Sequence, residues 1–140
     1  MAMEIVRKDD WYSSLSTFID GAFRRPFAYG EFDCTLFAAG AVEAMTGVNL
    51  YADFLGRYRT LRGGMLQLKT LGFDSHVDYA ASLFAEVHPA MAQVGDIAVI
   101  DTETGHGLGI VQGSRIYVTQ PGALGLGLVD LLRATRAFRV

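Results

Sequence analysis

The spacing of apolar residues changes once along this chain, and that change limits the folds open to it. In the first half they recur at intervals of three and four. From Ile97 onward they form short runs separated by glycine, serine and proline. Asp9-Asp10 followed by Trp11, Leu15, Phe18 and Ile19 predicts an amphipathic helix, capped by aspartate and stopped at Gly21, with Trp11 as a core anchor. Cys34, Phe37, Ala38, Ala41, Val42 and Met45 share one face of a second helix, from Cys34 to Met45, which Gly47 ends. Its small residues, Ala38 to Ala41, let another layer approach closely. A third helical stretch is predicted over Tyr51 to Leu71, broken at Gly63-Gly64, with Met65 in the core. His76 to Val87 reads as a short helix with frayed ends. Ile97–Ile100, Leu108–Val111, Arg115–Thr119, Leu126–Leu131 and Thr135–Val140 read as short strands between turns. Helices first and an antiparallel meander second predict an α+β fold, with N-terminal helices packed on a C-terminal sheet.

Composition removes several functional classes. A chain of 140 residues, 51% hydrophobic, is long enough for one domain, residues 1–140, with a core of its own. A net charge of −3 with two lysines offers no basic stripe for nucleic acid. His76, His88 and His106 are widely spaced and form no metal-ligand pattern, so neither metal nor cofactor is expected. The lone cysteine excludes an intrachain disulfide. No apolar run approaches the length of a membrane span. Met1 to Arg7 is too short and too weakly apolar for a signal peptide, so the expectation is synthesis in a cytoplasm and delivery by other means.

The chemistry concentrates at Phe27-Ala28-Tyr29-Gly30-Glu31-Phe32-Asp33-Cys34-Thr35, where a glycine-bearing loop turns into the second helix. Asp33 is a good N-cap, and Cys34 then occupies the first helical position. There the partial positive charge of the helix start favours thiolate, the attacking form of cysteine. The other reading of a lone cysteine is a small buried hydrophobe.

The Asp-Cys at a helix start, followed by Gln93-Val94-Gly95-Asp96-Ile97 and Leu108-Gly109-Ile110-Val111, resembles the NlpC/P60 cysteine peptidases of the papain-like class. More closely, the chain is similar to small phage and prophage tail proteins related to them. That similarity runs through Pro26 to Gly30, Phe32 to Cys34, Met45 to Gly47, Gly95-Asp96 and Arg136 to Val140. The resemblance implies a papain-like fold and a tail-tip protein of the virion. It further implies other tail proteins as partners and bacterial peptidoglycan as the substrate. Cys34 matches the nucleophile, and Thr35 stands where a serine usually follows it. The family's histidine place holds Gly107, so His106 lies one residue early. It is either the base, re-aimed by a bulge at Gly105 and Gly107, or a turn histidine facing solvent. Phe27 replaces a tyrosine that stands near the oxyanion. Thr119 and Gln120 are the positional matches for the residue that orients the base, and His88 reads as a loop residue. The functional expectations are a cell-wall peptidase on a phage tail, or a tail subunit that keeps the fold and has lost turnover, with an amidase or acyltransferase using the same cysteine as a remoter third.

Overall fold

The computed structural model describes residues 4–140. Helix α1 (Trp11–Ala22) buries Leu15 and Ile19 as its spacing requires, but Asp10 makes no side-chain cap bond and Gly21 lies inside the last turn, with Ala22 buried after it. Helix α2 (Cys34–Thr46) begins at Asp33, whose side chain accepts from the Leu36 amide, and ends at Gly47. Gly47 adopts φ +77°, a left-handed conformation that costs glycine nothing. Phe18 of α1 stacks on Phe37 of α2 with ring centroids 5.8 Å apart, and Gly40 lies directly beneath the Phe18 ring.

The predicted third helix is divided differently. A single 3-10 turn covers Tyr51–Asp53, irregular chain follows, and α3 spans Leu61–Thr70, capped by Thr60. Gly63 and Gly64 therefore lie inside the helix and do not break it. Their missing side chains leave room for Tyr58, whose ring would stand 3.0 Å from a Cβ on Gly64. Met65 is exposed on α3 and does not join the core. Helix α4 (His76–Leu83), capped by Ser75, gives way to a short strand, β1 (Ala85–Val87).

The remaining strands are β2 (Ile97–Thr102), β3 (Gly105–Val111), β4 (Arg115–Thr119), β5 (Leu126–Asp130) and β6 (Ala134–Arg139). They form one antiparallel sheet in the order β1-β6-β2-β3-β4-β5. Only β2 to β5 form a meander. β6 crosses back to lie between β1 and β2, a topology that strand spacing alone does not encode.

Alternation along the strands separates two cores. Ile97, Val99, Leu108, Ile110 and Phe138 face α1 and α2, packing on Leu15, Phe37, Ala41 and Met45. Ala98, Ile100, Val111, Ile116 and Val118 point to the other face, covered by Ala92, Leu131 and Ala134. A third cluster, Leu36, Phe54 and Leu68, joins α2 to α3 and receives Tyr58, Phe73 and Tyr79. The architecture is α+β, with helices packed on an antiparallel sheet. The start of α2, the first turn of α4 and the open end of β3 are brought together at one rim.

Candidate active site

The loop before α2 is a tight turn. Ala28 and Phe32 exchange backbone hydrogen bonds, and Gly30 holds φ +79°. A side chain at Gly30 would collide with the backbone carbonyl of Tyr58, so the loop and the segment before α3 touch through backbone. Asp33 closes the turn. One carboxylate oxygen accepts from Leu36 N at 2.9 Å; the other accepts from Gly30 N at 3.0 Å and from the Tyr58 hydroxyl at 2.5 Å. Tyr58 is thereby fixed, and burial with the adjacent carboxylate raises its pKa far above the ordinary value. The capping carboxylate is legible in consecutive residues; its phenol partner, twenty-five positions away, is not.

Cys34 follows at the first helical position, partly exposed at the wall of a cleft of about 510 Å³. The Leu108 amide and the hydroxyl and amide of Thr35 act on its sulfur as donors, each favouring the anion. The expected thiolate is not favoured. Burial pushes the thiol pKa up, the Asp33 carboxylate adds to the rise, and the hydrogen bonds oppose it only in part. A helix start contributes about 0.3–1 kcal/mol toward the anion, which desolvation here outweighs. The resting group is a neutral thiol.

Two imidazoles share this cleft. His106 lies on β3 on the same face as Leu108 and Ile110, the face against which α2 packs. The β2–β3 register runs unbroken from Ile97↔Ile110 to Thr102↔Gly105, so there is no bulge at Gly105 or Gly107 and none is needed to aim the ring. Gly107, in the family's histidine place, faces Ile100 and Thr102 on the opposite side. The Nδ1 of His106 is 2.8 Å from Asp101 Oδ1, its cross-strand neighbour, with side chains 62% and 70% exposed. Asp101, rather than Thr119 or Gln120, therefore orients this ring. Thr119 lines the cleft, whereas the Gln120 amide donates to Gly125 O within its own loop.

His76, which no local pattern singles out, is the second imidazole. It opens α4, and its Nε2 lies 2.6 Å from the carbonyl oxygen of His106. A carbonyl only accepts, so Nε2 carries the proton and Nδ1 the lone pair. Burial is the main influence on His76 and lowers its pKa; the carbonyl bond and Asp33 work the other way. No hydrogen bond joins Cys34 to either ring among the described residues. His88 stands elsewhere, its Nδ1 accepting from Ala90 N in a short turn.

Phe27 lines the cleft edge-on to Tyr29, ring centroids 4.8 Å apart. The missing hydroxyl at Phe27 is thus next to one that is present: Tyr29 also lines the cleft, its pKa raised by burial, then by Cys34 and Asp33. The rest of the wall is largely apolar, including Phe54, Leu61, Met65 and Val118, with Asp74 and Glu103 as its other charged residues. Among the described residues, no cluster of three or more His, Cys, Asp or Glu could hold a metal ion, and no helix is long and apolar enough to cross a membrane.

A family model, described as a domain of unknown function, DUF6950, matches residues 6–140. The chain belongs to the DUF6950 family. No curated protein matches the sequence. The match takes in every element of the DUF6950 cleft, from the Cys34 turn to the strands carrying Asp101 and His106.

Proposed function

We propose that this protein is a papain-like cysteine peptidase of the NlpC/P60 kind, carried at a phage tail tip and acting on peptide bonds of peptidoglycan. The observation that carries the reading is Cys34: a thiol at a capped helix start, in the wall of a cleft whose other walls hold imidazoles. A helix start supplies what acyl transfer needs besides a nucleophile. Asp33 takes the Leu36 amide and its carbonyl takes Phe37 N, while the Thr35 amide serves the sulfur. The Cys34 amide is then the first-turn donor that can face a developing oxyanion. The proton acceptor is an imidazole of the same wall. Tail location rests on the similarity through Pro26–Gly30, Gly95-Asp96 and Arg136–Val140. Cys34→Ala is expected to abolish release of peptide fragments from purified sacculi; release at the wild-type rate would overturn the reading.

The neutral resting thiol favours a second reading, a tail subunit that retains the scaffold without turnover. Exposed Met91, Leu124 and Leu132 suit burial against neighbouring subunits. This reading expects wild-type protein to release nothing from sacculi and Cys34→Ala to leave tail assembly intact.

A further inference from the structure

We propose that His76, through Nδ1, takes the proton from the Cys34 thiol, and that His106 serves by its backbone carbonyl rather than its ring. The inference rests on the reading of Cys34 as a nucleophile and names the base of that site. Sequence comparison with peptidases points to the strand histidine; the geometry points to the helix.

The edge of β3 is what brings the two groups together. β3 pairs with β4 only at Ile110↔Tyr117 and Val111↔Ile116, although β4 continues to Thr119 along β5. Beyond Ile110 the outer edge of β3 has no strand partner among the described residues, and its backbone is open to side chains. The Leu108 amide favours the anion of Cys34, and the His106 carbonyl accepts from Nε2 of His76 at 2.6 Å. Residues two apart in a strand direct their backbone groups to the same edge, with a spacing of roughly 6.6 Å. Thiol and imidazole therefore line one cleft beside neighbouring positions of the same strand edge.

His76 also has the right tautomer and support. Nε2–H is committed to the carbonyl, Ser75 caps the helix beneath the ring, and Nδ1 has no hydrogen-bond partner among the described residues. It is not sealed in, since no buried side-chain nitrogen or oxygen lacks a partner there. A partnerless, unsealed Nδ1 on a ring that lines the cleft is a lone pair open to a proton. The His106 ring is tied to Asp101 at the solvated end of the hairpin. Lowered basicity at His76 and a raised thiol pKa agree with a neutral pair at rest, in which proton transfer accompanies attack. The lack of a direct bond between them is usual before substrate draws a site together.

The step balances without a further reactant. The S–H bond breaks and Nδ1–H forms as sulfur bonds to the acyl carbon, and the carbonyl electron pair moves to oxygen. On collapse the C–N bond breaks and the amine leaves with the proton from Nδ1. Water then hydrolyses the thioester, giving its proton to Nδ1, from which sulfur recovers it.

Iodoacetamide labelling of Cys34 at pH 7, in the full chain, tests the assignment apart from any substrate. His76→Gln, whose amide can still donate to the His106 carbonyl, is expected to lose most of the labelling rate, and to lose far more of it than His106→Gln. A loss in His106→Gln as large as that in His76→Gln or larger, or a loss in neither, would overturn it. Nitrogen-15 spectra of the unaltered protein give a second reading that no folding defect can confuse. Nδ1 of His76 bare at pH 7 and shifted by Cys34→Ser supports the assignment, and the opposite tautomer refutes it. On sacculi, His76→Gln is expected to cost about 100-fold in turnover. If sacculi are untouched by wild type while the labelling and spectra hold, the cell-wall reading fails and this one stands.

Discussion

Burial acts on the thiol of Cys34 and the imidazole of His76 in the same sense, holding each in its uncharged form. That choice has a cost that pH exposes. His76 has a folded pKa below its ordinary 6.5, so its contribution is present above that value and lost as pH falls through the lowered one. Cys34 is the mirror case: its contribution is present below the ordinary 9.0 and lost as pH rises through the raised value. The groups facing His76 do not reverse the sign, since the favourable influence of Asp33 is outweighed by burial. Stability measured by urea unfolding is thus expected to be greatest between about pH 7 and 9 and to decline on both sides. His76→Gln should flatten the acid limb. Cys34→Ser should reduce the alkaline slope, leaving what Tyr29, Tyr58 and Tyr79 contribute through their own raised values. At this scale the sequence showed the Asp33–Cys34 pair plainly, because a cap is written in adjacent residues. It did not show Asp101, Tyr58 or His76, because each arrives from another element, and periodicity carries no information about which elements meet.

Among the elements, α2 was the most legible and also the most constrained. Its start, its end and its buried face all follow from Asp33, Gly47 and the spacing of Phe37, Ala41 and Met45. The small residues at its centre fit close approach of α1, and Gly40 is where the approach is tightest: a Cβ there would stand 2.6 Å from the Phe18 ring. Two effects compete in Gly40→Ala. Helix propensity favours alanine by about 1 kcal/mol. Overpacking against a ring already stacked on Phe37 costs about 1–3 kcal/mol. The expected outcome is net destabilisation in chemical unfolding, reversed when Phe18→Leu is combined with it, since the smaller side chain vacates the space. A double variant no more stable than Gly40→Ala alone would place the strain elsewhere. The stretch from Tyr51 to Leu71 reads as one broken helix in the sequence, and differs in the structure, for a reason of the same kind. Gly63 and Gly64 look like a break, yet they are glycines because Tyr58 lies against the helix they belong to. β6 was read correctly as a strand but placed in the wrong order, because an alternating pattern specifies a face and not a neighbour.

At the scale of the whole molecule, one carboxylate joins parts of the chain that pattern reading leaves separate. Asp96, fully buried just before β2, accepts from Arg7 at 3.3 Å, Arg139 at 2.9 Å, Gln93 N at 2.8 Å and Val140 N at 3.1 Å. The segment before α1, the turn into β2 and the last residues after β6 therefore converge on a single side chain. Arg7 continues the connection, stacking over Trp11 at 4.0 Å from the ring centroid and donating to the carbonyl of Val140. The Gly-Asp pair in the sequence marks this junction, and its role here is architectural: it fixes the edge at which β6 enters between β1 and β2. Removing the carboxylate takes the charge partner from two guanidinium groups and the acceptor from two amides, and breaking a buried pair on one side costs about 3–5 kcal/mol. Asp96→Ala is expected to lose that amount in urea unfolding. Arg7→Met should lose clearly less, because Arg139 and both amides still satisfy the carboxylate while the methionine stem keeps contact with Trp11. The ordering discriminates between a hub and a set of independent surface pairs. Equal small losses from the two variants would mean that Asp96 merely decorates a junction held by Phe138 and its hydrophobic neighbours.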